Sequence, residues 1–200
     1  MSDEKNTQIS LDSIGENDIP DQIPTKFVNN RIIVFNPLYA SYLYVKQKFY
    51  GSPLGISKPR LEYFSKPSEL SIEEAYYLLL NRKITIFDPI NNKDLTAKEF
   101  FKIAKKIHNK FEEKFIIYQD LREKGYVPRP GLKFGADFVV YRKGPGLEHS
   151  PFIVHVLPHD TKLTAIDMVR AGRLATSVRK KFVIANPLTK SYYFFEWFKP

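Results

Sequence analysis

Residues 125–157 read GYVPRPGLKFGADFVVYRKGPGLEHSPFIVHVL, and this stretch decides the fold of the C-terminal half. Two apolar runs, Phe138–Tyr141 and Phe152–Leu157, predict strands, and their near-continuous apolar character predicts burial on both faces. A loop rich in Gly and Pro separates the two runs. Before the first run, residues 128–131 contain two prolines and a glycine, which predict a rigid connection.

A helix and two more strands are predicted on the C-terminal side, and another helix on the N-terminal side. The predicted helices are Phe111–Lys124, with Gly125 at a typical C-cap position, and Leu163–Val178, which ends in the basic run Arg179-Lys180-Lys181. The predicted strands are Phe182–Ala185 and Tyr192–Phe198, joined by the loop Asn186–Lys190. The pattern predicts an α/β module over residues 110–200, with a central mixed sheet flanked by helices.

The N-terminal half also alternates helices and strands. Two helices have capping boxes, Ser71 with Glu74 and Thr96 with Glu99. Strands are predicted at Asn30–Asn36, Leu61–Phe64 and Lys83–Asp88, and a strand or short helix at Ala40–Lys48. The predicted class is therefore α/β (α+β) in two small modules. Residues 1–23 form an acidic disordered tail, 24–109 an N-terminal α/β domain, and 110–200 the C-terminal domain.

Charge is unevenly distributed along the 200 residues. The first 21 residues hold six acids and one base, a net charge of −5, so the formal +9 of the whole chain leaves +14 for the rest. A body that basic attracts polyanions, although a solvated lysine surface is the ordinary alternative. No run approaches the ~18 apolar residues that span a bilayer. The N-terminus is polar and acidic, unlike a signal or transit peptide, so we expect a cytoplasmic protein. The chain has no cysteine, which rules out disulfides and thiolate metal sites but does not by itself identify the compartment.

Three reactive side chains lie near the ends of predicted elements. Tyr141 and His149 flank the Gly/Pro loop, and Lys180 follows His149 by 31 positions. Taken singly, a strand-end tyrosine, a lone histidine and a helix-end lysine are ordinary structural residues. The three side chains can nevertheless converge in space. No carboxylate cluster, cysteine pair or phosphate-binding glycine loop accompanies them. This combination predicts metal-free phosphoryl chemistry on RNA.

RNA carries its own nucleophile, the 2′-hydroxyl next to each phosphate. An enzyme that exploits it needs a base for this hydroxyl, an acid for the leaving 5′-oxygen, and positive charge for the phosphate oxygens. Histidine, with an unperturbed pKa of ~6.5, suits the acid. Tyrosine, with a pKa of ~10, needs a nearby cation to favour the phenolate. Candidate cations are Arg142, Lys143 and Lys180.

These residues lie in the segments DLREKGYVPRPGLKFGADFVVYRKG, EHSPFIVHV, TSVRKKFVIA and YYFFEWFKP. Over 111–200, and more loosely over 30–109, the sequence resembles the archaeal tRNA-intron splicing endonuclease family. The resemblance implies that the C-terminal module, residues 110–200, is a nuclease-type catalytic domain. The resemblance implies that Tyr141 is the general base, that His149 is the general acid, and that Lys180 stabilises transition-state charge. It also implies cleavage of precursor tRNA at a bulge-helix-bulge, giving a 2′,3′-cyclic phosphate and a 5′-hydroxyl, without a metal or other cofactor.

The resemblance further implies RNA contacts and a partner chain. Arg173 and Trp197 match two residues that grip a flipped bulge base, because guanidinium and indole planes stack on bases. A surface cation and plain strand packing are their ordinary alternatives. Arg142 and Lys143 are additional predicted RNA contacts. Family members that assemble from identical chains carry an acidic loop, whereas the loop Asn186–Lys190 has no acid. A hetero-tetramer with a structural paralogous subunit is therefore predicted, with a homo-oligomer as the alternative.

Two other functions compete with this interpretation. The first is a non-catalytic RNA-binding or structural subunit of the same assembly, which has no need of Tyr141, His149 and Lys180. The second is a metal-dependent DNA nuclease of restriction type. That chemistry needs an acid on one strand, for which Asp137 is available, and an acid-x-Lys triplet on the next, which Phe152–Leu157 does not supply. Activity that is retained in excess EDTA would exclude the metal-dependent DNA nuclease.

Overall fold

The computed structural model describes residues 18–158 and 161–195. Contacts between residues group the chain into two compact units, and the division lies between Ile103 and Ala104, inside a helix. Each unit contains one sheet with helices, which confirms the predicted mixed α/β class. Most of the predicted acidic tail, residues 1–17, lies outside the described residues, and Ile23 begins the first strand. None of the helices in the described ranges has the length and apolar character to cross a bilayer.

The first unit is built on a six-stranded sheet with the order β3-β4-β2-β1-β5-β6, in which only β1 and β5 are parallel. Its strands are β1 (Ile23–Val28), β2 (Arg31–Val34), β3 (Ser52–Pro53), β4 (Ser68–Leu70), β5 (Ile84–Asp88) and β6 (Lys93–Asp94). Its helices are α1 (Pro37–Val45), α2 (Ile72–Leu80) and α3 (Ala97–Ile107), the last of which carries the division between the units.

Local sequence signals account for most helix starts in this unit. Both predicted capping boxes are present: Ser71 accepts the Glu74 N–H at 3.2 Å while Glu74 accepts the Ser71 N–H at 2.9 Å, and Thr96 and Glu99 do the same. Residues 40–45 are helical in α1, which resolves the alternative of strand or helix. The strand predicted at Leu61–Phe64 is wrong, because the backbone N–H and C=O of Phe64 bond to a buried serine hydroxyl instead of a neighbouring strand.

The second unit is built on a five-stranded sheet with the order β11-β10-β9-β8-β7. Only β9 and β10 are parallel, and a helix joins them, as a parallel connection requires. The strands are β7 (Val127–Pro130), β8 (Phe138–Tyr141), β9 (Phe152–Val156), β10 (Lys181–Asn186) and β11 (Ser191–Phe195). The helices are α4 (Phe111–Glu123) and α5 (Ala165–Val178), with a short 3-10 turn at Leu132–Phe134.

Strand β7 corrects the prediction of a rigid connection. Its residues pair antiparallel with β8, Val127 opposite Tyr141 and Pro130 opposite Phe138. Proline cannot donate to a ladder, and β7 accommodates two prolines because it is an edge strand. The glycine that follows is required, because a Cβ at Gly131 would lie 2.8 Å from the backbone of residues 136 and 138.

The two faces of the second sheet bury different helices. On one face, Val139, Ile153 and Phe182 pack with Ala171 of α5. On the other face, the rings of Phe138 and Tyr118 of α4 lie 6.0 Å apart. Ile153 is fully buried, and burying such a side chain contributes roughly 1.5–3 kcal/mol. The double-sided burial predicted for β8 and β9 is confirmed, and it holds the strand ends in a fixed register.

Candidate active site

Three strand ends meet at one edge of the second sheet. Strand β8 ends at Tyr141, and the start of β9 lies beside it, with Phe152 opposite Val140. Phe152 also pairs with Lys181, the first residue of the parallel strand β10. Because β8 runs antiparallel to β9 and β10, its end lies at the same edge as their starts. This register gathers residues 141, 149–151 and 180, which are far apart in sequence.

Ser150 connects two of the three predicted catalytic residues. Its side chain is buried, with 5% of the residue exposed. The Lys180 ammonium donates to the Ser150 carbonyl oxygen at 2.7 Å and also to its hydroxyl oxygen. The Tyr141 hydroxyl makes a further hydrogen bond with the Ser150 side chain. Tyr141 and Lys180 therefore meet at one serine, which sequence patterns did not single out.

The Tyr141 phenol is half-buried, and its environment favours the neutral form. Burial raises the pKa of Tyr141 above its ordinary value, the positive charge of Arg129 and the bond to Ser150 oppose this rise, and the negative charge of Glu148 adds to it. The predicted lowering of the pKa by a neighbouring cation is therefore outweighed by burial. The cation that acts on Tyr141 is Arg129, which was not among the predicted cations. It lies on β7, and the two prolines of this strand had indicated a connection instead of a strand.

The Lys180 ammonium is partly buried beside an aromatic ring. Burial lowers the pKa of Lys180, since removal from water penalises the charged form. Its Nζ lies 5.5 Å from the centre of the Phe134 ring, within the range of a cation–π contact. An ammonium has three N–H donors, and Ser150 takes two of them. Ser150 does not use the third donor, so this donor can serve an anionic oxygen at the edge.

Glu148 orders the loop that carries His149. Its carboxylate accepts the backbone N–H of Lys143 at 2.6 Å and the N–H of Arg142 as well. These backbone bonds, led by that of Lys143, lower the pKa of Glu148. Gly146 has φ +83, a conformation that favours glycine in the tight turn. His149 itself is exposed, and it lies between two anchored neighbours, Glu148 and Ser150.

The predicted RNA-contacting residues have different surroundings. Arg142 and Lys143 are exposed in the loop after Tyr141, and the Arg142 guanidinium lies 5.3 Å from the centre of the Phe152 ring. Arg173 is exposed on α5. Trp197 lies outside the described residues. The loop between β10 and β11 is a tight turn in which Asn186 accepts the N–H of Leu188 at 2.9 Å.

Asp137, the acid considered for metal-dependent cleavage, is engaged by other groups. Its carboxylate lies 2.8 Å from the Lys114 ammonium, accepts the Val156 N–H at 2.8 Å, and lies 3.3 Å from Nδ1 of His155. Within 18–158 and 161–195, no three His, Cys, Asp or Glu side chains are close enough to share a metal ion. The role left to Asp137 is structural, since it joins α4 to the end of β9.

A cavity of about 310 Å³ lies over the face of the second sheet that α5 covers. Its lining includes His155 and Leu157 from β9 and the residue after it, Lys162 from the segment before α5, and Met168 from α5. Neither Tyr141 nor Lys180 is among the residues that line this cavity.

Residues 111–192 match a family model described as tRNA intron endonuclease, catalytic C-terminal domain. A tRNA-splicing endonuclease of Hyperthermus butylicus is 41% identical over 176 residues, which cover 85% of this chain and 95% of the relative. Two others, of Saccharolobus islandicus and Saccharolobus solfataricus, are 38% identical over 177 residues, which cover 86% of this chain and 96% of each relative. These matches confirm the predicted resemblance, and the chain belongs to the tRNA-splicing endonuclease family.

Proposed function

We propose that this chain is a catalytic endoribonuclease that cuts precursor tRNA at intron–exon junctions within a bulge-helix-bulge. The observation that carries the proposal is the meeting of Tyr141 and Lys180 at Ser150, with His149 next in the chain. A subunit that only bound RNA would have no need to bring a phenol and an ammonium together at a buried serine. The family and the names of its relatives support precursor tRNA as the substrate.

The three residues divide the proton transfers and the charge. The phenolate of Tyr141 takes the proton of the 2′-hydroxyl while the 2′-oxygen forms a bond to phosphorus. The bond from phosphorus to the 5′-oxygen breaks, and protonated His149 gives that oxygen its proton. The products are a 2′,3′-cyclic phosphate and a 5′-hydroxyl. Tyr141 ends with one proton more, taken from the 2′-hydroxyl, and His149 with one proton fewer, given to the 5′-oxygen. No metal takes part in this scheme.

Lys180 stabilises the charge that develops on the phosphate. Two of its three donors are fixed by Ser150, so the ammonium is held in place before the RNA arrives. A preorganised donor of this kind is effective because it does not reorganise during the reaction, and removing one typically costs about 10²–10³ in rate. Partial burial strengthens the interaction further, since fewer waters screen it.

The remaining predicted residues extend the RNA site. Arg142 and Lys143 are exposed beside Tyr141, where they can contact phosphates on either side of the cut. Arg173, exposed on α5, and Trp197 supply planar groups for a flipped base. Trp197 follows β11 in the chain and enters on the resemblance alone.

A second chain completes the assembly. Strand β11 is an edge strand on which Tyr193 and Phe194 are more than half exposed, and such an edge favours pairing with another chain. The turn after β10 exposes 71% of Leu188 and contains no acid. A structural paralogous subunit that supplies the missing carboxylate would complete a hetero-tetramer.

The test is cleavage of a short bulge-helix-bulge RNA in excess EDTA, by this chain alone and mixed with a candidate structural subunit. We expect cleavage by the mixture, whose native mass is that of a hetero-tetramer. The 3′ end should resist phosphatase until acid opens the cyclic phosphate. The mixture containing the Y141F/H149A double variant is the control.

Three results would contradict the proposal. Loss of cleavage in EDTA would make the reaction metal-dependent. A 5′-phosphate on the product would mean that water, not the 2′-hydroxyl, attacks. Undiminished cleavage by the double variant would assign the chemistry to the other chain and leave this one as a non-catalytic subunit.

A further inference from the structure

The Ser150 hydroxyl lies between the two groups whose charges matter most in the proposed reaction. It is buried, it accepts a hydrogen bond from the Lys180 ammonium, and it is bonded to the Tyr141 hydroxyl. A serine hydroxyl has one proton to donate, whereas an ammonium can only donate. Lys180 therefore occupies an acceptor position on the serine oxygen and leaves the serine proton for another partner.

The direction of the Tyr141 bond follows from this arrangement. When Tyr141 is ionised it has no proton, so the serine must donate to the phenolate oxygen. The ammonium polarises the serine hydroxyl and makes it a stronger donor, because hydrogen bonds in a chain reinforce one another. The positive charge of Lys180 is thereby transmitted to the phenolate through a single hydroxyl.

The other charges around Tyr141 act in opposite directions on its ionisation. Arg129, from β7, favours the phenolate, and Glu148, from the loop, disfavours it. Burial also disfavours it, and Lys180 reaches Tyr141 through Ser150. The serine bond and Arg129 are thus the two influences that favour ionisation of the proposed base.

The backbone at Ser150 fixes the hydroxyl in this position. The carbonyl of Ser150 accepts from Lys180, and the carbonyl of the next residue, Pro151, accepts the Lys181 N–H at 2.9 Å. Proline restricts the residue before it to extended conformations. A Ser150→Ala change consequently keeps the carbonyl bond to Lys180 and removes the hydroxyl alone.

We propose that Ser150 is a positioning residue that couples the Lys180 ammonium to the Tyr141 phenol and so prepares the tyrosine to act as the base. The inference rests on the function proposed above, since it assumes that Tyr141 takes a proton. It adds a residue to the machinery that acts through Tyr141 and Lys180 and does not itself touch the RNA.

The test places 3-fluorotyrosine at position 141 and follows its ¹⁹F shift against pH, in the otherwise unchanged chain and in the S150A and S150T variants. Single-turnover cleavage is measured in parallel with unlabelled protein. S150A removes a hydrogen bond to a charged group, so it should raise the titration midpoint by about one pH unit or more. The cleavage rate near neutral pH should fall by about tenfold or more, in proportion to the phenolate fraction.

Threonine keeps the hydroxyl and should restore both the midpoint and the rate, while the KM for RNA stays the same in all three proteins. An unchanged midpoint together with an unchanged rate in S150A would overturn the coupling. The Y141F variant separates this failure from failure of the proposed function. If Y141F is inactive and S150A is unaffected, only the coupling fails, whereas full activity of Y141F removes the proposed base itself.

Discussion

His149 and His155 lie six residues apart at opposite ends of β9, and the two ends of the strand differ in almost every respect. His149 is exposed in the loop that follows Tyr141, between Glu148 and Ser150. His155 lines a cavity of about 310 Å³, stacks on Phe182 with ring centres 6.4 Å apart, and lies 3.3 Å from Asp137.

The proposed reaction lies outside the cavity that His155 lines. A large apolar pocket is the usual first hypothesis for a small-molecule site. The substrate proposed here is a duplex with bulges, which brings its own shape, so reactive groups on an open edge can reach it. The exposed edge has a phenol, an imidazole and an ammonium, whereas the cavity has an imidazole that lies 3.3 Å from a carboxylate, which also contacts Lys114.

The comparison with the largest expected effect is between the two histidines, His149 and His155. Without its acid the leaving 5′-oxygen must depart unprotonated, so H149A should reduce the single-turnover cleavage rate by about 10²–10⁴. H155A should change it by less than about threefold, because we assign the end of β9 no role in the reaction. Rates on one bulge-helix-bulge RNA, with thermal unfolding of both variants as the control, decide the comparison. Equal losses in two folded variants would place the reaction elsewhere.

The second comparison uses one lysine from each end. K180M keeps the length of the side chain but removes the charge at the edge, and the rate should fall by about 10²–10³. K162M, its matched control at the cavity, should stay within about threefold of the unchanged chain. The measurement is the rate at saturating RNA, so that a loss of general attraction for polyanions does not contribute. A rate loss in K162M as large as that in K180M would mean that charge acts without regard to position.

Sequence patterns predicted many of the strands and helices in both units. Apolar runs marked β8, β9 and β10, because a strand that is buried on both faces has no polar positions to break the pattern. The capping box at Ser71 predicted the start of α2, because that signal depends on neighbours within four residues. Both kinds of signal are local, and local signals can be detected without knowledge of the fold.

Two residues of the edge escaped prediction for the same physical reason. Ser150 meets Lys180 only because β9 and β10 pair in one parallel register across 30 positions of sequence. Arg129 influences Tyr141 only because β7 pairs with β8, where Arg129 lies opposite Val139, two residues from Tyr141 and on the same face. The prolines of β7 resembled a linker, and an edge strand tolerates them. Register is a long-range property, and spacing along one sequence does not encode it.

The smallest expected effect sharpens the contrast at the Tyr141 edge itself, where Arg129 and Glu148 have opposite signs. Arg129 favours the phenolate, so R129M should raise the midpoint of a 3-fluorotyrosine at position 141 and slow cleavage near neutral pH. Glu148 disfavours the phenolate, so E148Q should lower that midpoint, while the amide oxygen still accepts the Lys143 N–H and preserves the loop. Each shift should be a fraction of a pH unit, because charges near the surface interact at an effective dielectric constant of about 20 or higher and are screened by salt.

The ¹⁹F titration of R129M and E148Q should be run at low and at high salt, and both shifts should be smaller at high salt. E148A provides the contrast: it removes the acceptor as well as the charge, so it should slow cleavage through disorder of the loop even though the charge change alone favours the base. Shifts of the same sign in R129M and E148Q would show that packing, and not charge, governs the ionisation of Tyr141.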